Sequence, residues 1–327
     1  MVLNDLPGNG NTDLTEETAN APVKSDEELT KSSRCGYVAL IGAPNAGKST
    51  LVNQLVGAKV SIVTHKVQTT RAITRGIALH GESQIILVDT PGIFTPNKRL
   101  ERAMVHTAWT GARDADILAL LVDCRRGIDE AIEQLLTNVA DLHHPKILLL
   151  NKIDTVDREK LLALSVAANE RVTFKATFMI SALTGDGVGD VLSYCAEHVP
   201  NGPWLYPEDD ISDAPMRQLA AEITREKLFL RLHAELPYAS TVETTDWKTQ
   251  KDGSARVEQT IYVERDSQKK IVLGKGGQTI KAISSSSRHE LADIVGHPVH
   301  LFLFVKVREN WSNDPERYRE MGIDFKD

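Results

Sequence analysis

An eight-residue stretch near the start of the chain constrains its fold more than any other feature. Residues 42–49 match the pattern GxxxxGK[ST]. They follow an apolar run at residues 37–41 and open a segment with helical character, which is the context that this pattern requires. Such a loop turns backbone N–H groups inward around phosphate groups, and the helix N-terminus that follows adds positive potential. The stretch therefore predicts a phosphate-binding loop between a strand and a helix.

The residues of this loop have separate expected roles. Lys48 is expected to reach the β- and γ-phosphates of a nucleotide, and Ser49 is expected to bind Mg²⁺. The predicted phosphate site comprises Gly42, Ala43, Pro44, Asn45, Ala46, Gly47, Lys48, Ser49 and Thr50.

The first part of the chain alternates short apolar runs with amphipathic stretches. The runs, each of strand length, are residues 37–41, 85–88, 117–122, 147–150 and 177–180. Helix-like segments such as 128–142 and 158–171 lie between them. This alternation predicts a mostly parallel sheet with right-handed crossovers, that is, an α/β domain, which we place at residues 35–200.

The second part has a different pattern. Its helix-like and strand-like segments are residues 216–236, 240–248, 256–264, 278–284, 288–295 and 300–307. Their order, α-β-β-α-α-β, predicts an α+β domain at residues 216–327. Residues 201–215, rich in proline and acid, are predicted to link the two domains. The acidic residues 1–34 are predicted to form a disordered tail.

The composition excludes several other classes of protein. The 327 residues exceed what one core usually organises, and 41% hydrophobic with 25% charged residues is ordinary for a globular protein. The net charge of −7 argues against a uniformly basic surface, so any contact with nucleic acid has to be local. Three widely spaced cysteines favour a reducing, cytoplasmic setting, and no apolar run reaches the length of a membrane span.

A second motif selects the nucleotide. It consists of Asn151, Lys152, Ile153 and Asp154 and follows an apolar run. The Asp154 carboxylate can accept hydrogen bonds from N1–H and the 2-amino group of guanine, two donors that adenine does not offer. A carboxylate buried without these partners carries a penalty of a few kcal/mol, so the motif predicts GTP rather than ATP. Backbone N–H groups of Ser181 and Ala182 are expected to bind guanine O6.

A third motif ends the run at residues 85–88 and consists of Asp89, Thr90, Pro91 and Gly92. An aspartate at this position can hold Mg²⁺ through water, and a glycine N–H can sense the γ-phosphate. A Gln-Thr-Thr-Arg stretch precedes this run, and one of its threonines should reach Mg²⁺ as part of a nucleotide-dependent switch. The residues alone do not choose between Thr69 and Thr70.

A glycine-rich tetrapeptide in the second domain indicates contact with RNA. Within the order α-β-β-α-α-β it resembles the GxxG loop of a type II KH domain, which clamps the phosphates of single-stranded RNA. Between residues 265 and 288 there are six basic residues against one acidic residue, a local surplus of five positive charges. We predict RNA contacts at Arg265, Lys269, Lys270, Gly274, Lys275, Gly276, Gly277, Lys281 and Arg288.

Together these motifs resemble the Era family of bacterial GTPases, in which a GTPase domain precedes a type II KH domain. The resemblance runs from about residue 36 to the C-terminus, while the acidic tail departs from the shorter family pattern. It implies GTP, GDP and Mg²⁺ as ligands. It also implies the 3′ end of 16S rRNA and the 30S subunit as partners, with a role in subunit maturation. We expect a cytoplasmic monomer and leave a peripheral location on the inner membrane open.

Two residues bear on the rate of hydrolysis. Ras-like GTPases orient the attacking water with a glutamine that follows the Asp-x-x-Gly motif, whereas this chain has Ile93 there. We therefore expect slow basal turnover that rests on Lys48, Mg²⁺ and the switch backbone. Asn45 resembles the asparagine of GTPases that bind K⁺ in place of an arginine finger.

Three other interpretations compete with this one. A P-loop ATPase or kinase is disfavoured by the guanine motif, and a tRNA-modification GTPase is disfavoured by the GxxG loop. An RNA-binding scaffold that uses GTP only as a structural ligand stays open, because Ile93 cannot orient water.

Overall fold

The computed structural model describes residues 33–311 together with Asp314, Tyr318, Gly322 and Ile323. Most of the predicted disordered tail, residues 1–34, therefore lies outside the described residues. Arg34 already belongs to the first strand.

The described chain folds as alternating strands and helices, followed by a smaller α+β unit. The strands are β1 (Arg34–Gly42), β2 (Thr74–His80), β3 (Ser83–Asp89), β4 (Ile117–Asp123), β5 (Lys146–Asn151), β6 (Ala176–Ile180), β7 (Ser240–Thr249), β8 (Ala255–Val263) and β9 (Val299–Val307). The α-helices are α1 (Lys48–Val56), α2 (Arg99–Arg113), α3 (Glu130–Ala140), α4 (Arg158–Arg171), α5 (Val188–His198), α6 (Met216–Arg231), α7 (Asp266–Leu273) and α8 (Gln278–Val295).

The first domain has a six-stranded sheet of order β2-β3-β1-β4-β5-β6. All neighbouring strands are parallel except β2, which runs antiparallel to β3. Alternate residues of β1 point to the two faces, so Leu40 packs with α1 and α5 while Ile41 packs with α2, α3 and α4. Both faces are therefore covered, and the predicted α/β class is confirmed.

Strand β2 is absent from the sequence prediction. Its residues include Thr74, Arg75 and Gly76 at one end, and its central Ile77 and Ala78 form too short an apolar run to stand out. β2 is an edge strand of the sheet, with β3 on one side and only short contacts from Ile211 and Ser212 on the other, so it needs no continuous apolar sequence. Periodicity alone could not reveal it.

The second domain has a three-stranded sheet of order β7-β8-β9, with β8 antiparallel to β7 and parallel to β9. The order α-β-β-α-α-β is confirmed, but the prediction of two of its helices was wrong. Residues 278–284 and 288–295 belong to one helix, α8, and the remaining helix is α7, which precedes the glycine loop. The serines in the middle of α8 lie within a continuous helix, and Ser286 Oγ donates to the carbonyl of Ala282 four residues earlier, so its hydroxyl is satisfied inside the helix.

The segment between α1 and β2, residues 57–73, is called the switch segment below. It lies between the nucleotide loop and helix α6 of the second domain. Lys66 Nζ donates to the carbonyls of Phe229 and Leu232 near the end of α6. The backbone N–H of Val63 donates to Glu226 Oε1 at 2.8 Å. The second domain thus contacts the part of the first domain that the sequence predicts to respond to nucleotide.

The predicted linker, residues 201–215, lies along the edge of the first domain. Its Ile211 carbonyl accepts a 2.9 Å hydrogen bond from the N–H of Ile77 in β2, and Asp213 pairs with Arg75 at 2.9 Å. None of the helices among the described residues has the length and apolar character needed to cross a membrane.

Candidate functional site

The phosphate loop turns from β1 into α1 with Gly47 as the helix N-cap, at φ 104°. A Cβ atom at this position would lie 2.3 Å from Nδ2 of Asn151, so only glycine fits. Asn151 Nδ2 in turn donates to the carbonyl of Ala46 at 2.7 Å. The guanine motif therefore braces the phosphate loop directly, a contact that the separate motifs did not predict.

Lys48 is buried at the base of the loop. Its Nζ donates to the carbonyls of Gly42 at 3.1 Å and Ala43 at 3.2 Å. Burial lowers the pKa of Lys48 from its ordinary value of 10.5 to about 8, although the nearby Asp89 carboxylate opposes the change. The loop thus holds a cation in a dry site, where a phosphate would interact with it strongly.

Three side-chain oxygens converge beside Lys48. Ser49 Oγ donates to Asp89 Oδ2 at 2.7 Å and lies 2.9 Å from Thr70 Oγ1. Burial raises the pKa of Asp89, with opposing effects from Ser49 and Lys48. Asp89 Oδ1 is buried and has no hydrogen-bond partner among the described residues. A buried carboxylate oxygen without a partner, next to two hydroxyls, is a donor set that fits Mg²⁺.

The two candidate switch threonines point in different directions. Thr70 faces Ser49, as described above, whereas Thr69 Oγ1 lies 2.6 Å from Thr64 Oγ1 and donates to the carbonyl of Lys66 at 2.8 Å. Thr69 therefore stabilises the turn of the switch segment, and only Thr70 lies beside the other oxygens.

The guanine motif lies at the carboxyl end of β5. Ser181 Oγ donates to Asp154 Oδ1 at 2.6 Å, which orients the carboxylate. Asp154 itself is exposed at the rim of the cleft, so its burial depends on the base that covers it. The expected donors to guanine O6 already have acceptors, since the N–H of Ser181 donates to Asp186 at 3.0 Å and that of Ala182 to Asn151 Oδ1 at 2.9 Å. In the structure the hydroxyl group of Ser181, rather than its backbone N–H, contacts the guanine motif, through its hydrogen bond to Asp154.

Asp123 is a site residue that sequence reasoning missed. Lys152 Nζ donates to Asp123 Oδ2 at 2.7 Å and to the carbonyl of Asn45 at 2.6 Å, so it ties β4 to the phosphate loop. Burial acts to raise the pKa of Asp123, but hydrogen bonds from Arg125 and Lys152 outweigh it and lower the value to about 2. No motif marks this aspartate, because it stands out only by lying beside Lys152 in space.

The Asp-Thr-Pro-Gly motif is held against the phosphate loop. Thr90 Oγ1 donates to the carbonyl of Leu40 at 2.6 Å, and the N–H of Ile93 donates to the carbonyl of Gly42 at 3.0 Å. The Ile93 side chain packs on the core. Asn45 is exposed at φ 62°, and its Nδ2 donates to the carbonyl of His65 in the switch segment at 2.9 Å.

The phosphate loop, the switch segment and the guanine motif enclose a cleft of about 540 Å³. The predicted residues that line it are Pro44, Asn45, Gly47, Lys48, Ser49, Thr50, Thr69, Thr70, Gly92, Asn151, Lys152, Asp154 and Ala182. Other predicted residues do not line the cleft, namely Gly42, Ala43, Ala46, Asp89, Thr90, Pro91, Ile93, Ile153 and Ser181.

The GxxG loop lies between α7 and α8. Its three glycines have left-handed backbones, with φ 74° at Gly274, 60° at Gly276 and 75° at Gly277. A Cβ atom at Gly274 would lie 2.2 Å from Thr279 Oγ1, whereas one at Gly276 would meet open space. Gly277 is the N-cap of the 18-residue helix α8, whose N-terminus points at the loop. The loop and the helix end together can hold an anion.

The predicted basic residues do not all surround this loop. Lys270, Lys275 and Lys281 are exposed on α7, the loop and the first turn of α8, whereas Lys269 on α7 is half-buried. Arg288 lies eleven residues beyond Gly277, about 16 Å along the helix. Arg265 lines a cavity against α2 of the first domain.

An apolar groove lies beside the loop. The side chain of Ile271 is 57% exposed and lines a cavity of about 470 Å³ with Leu232, Leu236, Gln268 and Thr279. The apolar side chains of Val272 and Ile283, which flank the loop, are fully buried in the core and are not part of this groove. The groove and the loop together form a surface suited to an extended strand of RNA.

A cleft that holds phosphates and reads guanine on a parallel sheet, joined to a domain with a GxxG loop, defines the class of P-loop GTPases with a KH domain. Comparison with known families agrees. A family described as 50S ribosome-binding GTPase matches residues 37–152, and the KH domain family matches residues 235–312.

Relatives of known name extend along nearly the whole chain. GTPase Era of Sinorhizobium medicae is 66% identical over 314 residues, which cover 96% of this chain and 99% of that protein. GTPase Era of Brucella suis is 66% identical over 305 residues, covering 93% and 98%. The chain therefore belongs to the Era family of GTPases. It is an enzyme that hydrolyses GTP, as the sequence predicts.

Two solved structures are similar to the whole described fold. One is Era from Aquifex aeolicus, a variant bound to GDP and aluminium fluoride, with 36% identity, a TM-score of 0.85 and coverage of 89% of this chain and 100% of that chain. The other is Era in complex with MgGDPNP and nucleotides 1506–1542 of 16S ribosomal RNA, with 36% identity, a TM-score of 0.84 and coverage of 90% and 100%.

Proposed function

We propose that this protein is a GTP-driven switch that binds the 3′ end of 16S rRNA through its KH domain and acts in assembly and maturation of the 30S subunit. The observation that carries the proposal is the GxxG loop, with its left-handed glycines, its helix N-terminus and exposed lysines beside an apolar groove. The related Era structure that holds 16S rRNA nucleotides supports the choice of RNA.

In the first domain GTP and GDP are the ligands, and Mg²⁺ is bound by Ser49, Thr70 and Asp89. When bound, Mg²⁺ neutralises the charge that develops on the phosphates. Thr70 is preferred to Thr69 because only its hydroxyl lies 2.9 Å from Ser49 Oγ. Asp154, held by Ser181, selects guanine.

Hydrolysis rests on charge rather than on a residue that orients water. Lys48 supplies a buried cation to the β- and γ-phosphates, while the position that follows the Asp-Thr-Pro-Gly motif holds Ile93. Slow basal turnover follows. Asn45, exposed in the phosphate loop, is the candidate ligand for K⁺ through its side-chain oxygen, while its Nδ2 donates to the His65 carbonyl and so connects the loop to the switch segment.

The switch segment connects the two activities. GTP favours the position of Thr70 described here, because the γ-phosphate and Mg²⁺ stabilise it. Helix α6 contacts the same segment at Val63 and Lys66. The nucleotide state therefore changes how the KH domain sits and how accessible its groove is.

We propose that the protein is a monomer and that it works in the cytoplasm, where its RNA partner is made. Peripheral contact with the inner membrane is a second location that we retain. An RNA-binding scaffold with negligible hydrolysis is the alternative function, and the observation that favours it is Ile93, whose side chain packs on the core.

The test of the RNA partner compares binding of the 3′-end segment of 16S rRNA with that of the 3′-end segment of 23S rRNA over a salt series. The 23S segment is included because the family that matches the first domain is described as a 50S ribosome-binding GTPase, and 23S rRNA belongs to the 50S subunit. We expect tighter binding of the 16S segment. Lys275→Ala should weaken it and reduce the salt slope by about one, since one phosphate contact is lost.

Lys251→Ala is the matched control, because Lys251 is exposed in the turn between β7 and β8. Equal affinity for both RNAs, with no effect of Lys275→Ala, would contradict the proposed partner.

A further inference from the structure

A buried arginine of the KH domain contacts the switch segment. Arg225 lies on α6 and is 1% exposed. Its Nη2 donates to the carbonyl oxygen of Thr69 at 2.6 Å. This carbonyl belongs to the peptide group that joins Thr69 to Thr70. The hydrogen bond therefore fixes the backbone from which the Thr70 side chain extends toward Ser49.

The guanidinium of Arg225 is itself held in place. Its Nε donates to Glu222 Oε1 at 2.8 Å, and its Nη2 also donates to Glu222 Oε2. Its Cζ lies 5.2 Å from the centroid of the Phe229 ring. A planar group with a two-point contact and an aromatic neighbour has little freedom, so it presents its donor in one direction.

The KH domain also holds the residue on the other side of Thr70. Arg71 Nη1 donates to the carbonyl of Ser240 at 2.9 Å, and Nη2 donates to that of Tyr238 at 3.0 Å. Its guanidinium lies 6.0 Å from the same Phe229 ring. Both neighbours of Thr70 are thus held by the KH domain, Thr69 through its carbonyl and Arg71 through its side chain, which leaves Thr70 little room to move away from Ser49.

We infer that Arg225 is a positioning residue for GTP hydrolysis: it holds the Thr69 carbonyl so that Thr70 reaches the Mg²⁺ site. This inference rests on the proposed assignment of Thr70 to Mg²⁺. A residue of the KH domain thereby completes the active site of the GTPase domain. GDP has no γ-phosphate that would stabilise the ordered switch segment, so the affinity for GDP depends little on the hydrogen bond from Arg225 to the Thr69 carbonyl.

The test uses the full chain with Arg225→Ala and Arg225→Lys, measured by single-turnover GTP hydrolysis with the protein in saturating excess over GTP, by a Mg²⁺ titration of that rate, and by GDP affinity. We expect Arg225→Ala to lower the rate about tenfold and to raise the Mg²⁺ concentration at half-maximal rate about tenfold, the effect of one lost charge-assisted hydrogen bond. GDP affinity should change less than about twofold. Arg225→Lys keeps a cation but not the two-point contact with Glu222, and it should give an intermediate rate.

Arg231→Ala is the matched control, since Arg231 is exposed on the same helix. It should leave all three measurements unchanged. Thr70→Ala separates this inference from the assignment on which it rests. If Thr70→Ala leaves the Mg²⁺ requirement unchanged, the assignment of Thr70 is wrong.

If Thr70→Ala raises the Mg²⁺ requirement but Arg225→Ala and Arg225→Lys do not, the role of Arg225 is overturned. Equal losses of GDP binding and hydrolysis in both Arg225 variants would also overturn it, because they indicate general damage to the fold. The double variant should be no slower than Thr70→Ala, because both changes act through one contact.

Discussion

Single residues of the nucleotide cleft are placed for binding at the expense of stability. Lys48 is a buried cation whose nearest acceptors are backbone carbonyls, and Asp89 Oδ1 is a buried acceptor without a partner among the described residues. Both arrangements are unfavourable in the protein alone and become favourable when a phosphate and a cation are present.

Lys48→Met should stabilise the nucleotide-free protein. The folded state lowers the pKa of Lys48 from 10.5 to about 8, so below pH 8 the folded chain carries a charge that it disfavours by about 3 kcal/mol. The unfolded chain binds more protons between pH 8 and 10.5, so the penalty fades as the pH rises through this range. Denaturant unfolding at pH 7 and pH 10 measures the difference between variant and parent, which should be large at pH 7 and small at pH 10.

Lys251→Met serves as its control, because Lys251 is exposed and its replacement should have little effect at either pH. A Lys48→Met protein less stable than its parent at pH 7 would show that the carbonyl contacts outweigh the cost of burial.

Asp154→Asn should exchange the base preference of the enzyme. The amide offers a donor where the carboxylate offered an acceptor, so it no longer matches the 2-amino group of guanine but matches the 2-oxo group of xanthine. We expect GTP affinity to fall roughly a hundredfold and xanthosine triphosphate affinity to rise. Competition binding measures both, with Asp157→Asn as the exposed control. Unchanged GTP affinity would remove Asp154 from the base site.

Hydrolysis should be faster in KCl than in NaCl at equal ionic strength. K⁺ bound beside Asn45 would place a positive charge near the phosphates, and Na⁺ is too small to satisfy the same ligands. Asn45→Ala should abolish the difference between the salts. Identical rates of the unchanged protein in both salts would exclude a K⁺ site at Asn45.

At the scale of elements, functional residues gather where strands and helices end. The phosphate loop follows β1, the proposed Mg²⁺ ligand Asp89 ends β3, and the guanine motif begins at the last residue of β5. Carboxyl ends of parallel strands share one edge of the sheet, so these three motifs meet in one cleft although they are far apart in sequence. Their order along the chain was enough to predict that meeting.

Other elements could not be read from sequence. Helix α7 is only eight residues long and begins with charged and polar side chains, so it contains too few turns for an apolar periodicity to be recognised in the sequence. Two hydrogen bonds hold the site together, one from Lys152 to Asp123 and one from Arg225 to the Thr69 carbonyl. They join residues that lie 29 and 156 positions apart in the sequence. Contacts of this kind are created by the fold, and local patterns carry no information about them.

The glycine loop provides a prediction at this scale. Gly276→Asp places an acidic group in open space at a left-handed position that aspartate tolerates, so the domain should fold but lose RNA affinity about tenfold or more. Gly274→Ala would force a Cβ atom within 2.2 Å of Thr279 Oγ1 and should destabilise the domain itself. Circular dichroism melting and RNA binding separate these outcomes. RNA affinity unaffected by Gly276→Asp would place the RNA elsewhere.

At the scale of the whole molecule, the two domains meet through the switch segment. Lys59 pairs with Glu226 at 2.7 Å and also with Glu290, and Lys227 pairs with the same two carboxylates. The Val63 N–H donates to Glu226 as well. The four side chains of this network are partly shielded from solvent and share their partners, so motion of the switch segment has to change its contacts with the KH domain.

We propose that nucleotide state controls RNA recognition, and an equilibrium binding assay examines this proposal. It compares the affinity of the full chain for the 3′-end segment of 16S rRNA in the presence of a non-hydrolysable GTP analogue and in the presence of GDP, at one salt concentration. We predict binding about tenfold or more tighter with the GTP analogue, and loss of this preference in Thr70→Ala. Equal affinity in both states would contradict the claim, because a nucleotide that does not change RNA affinity cannot act as its switch.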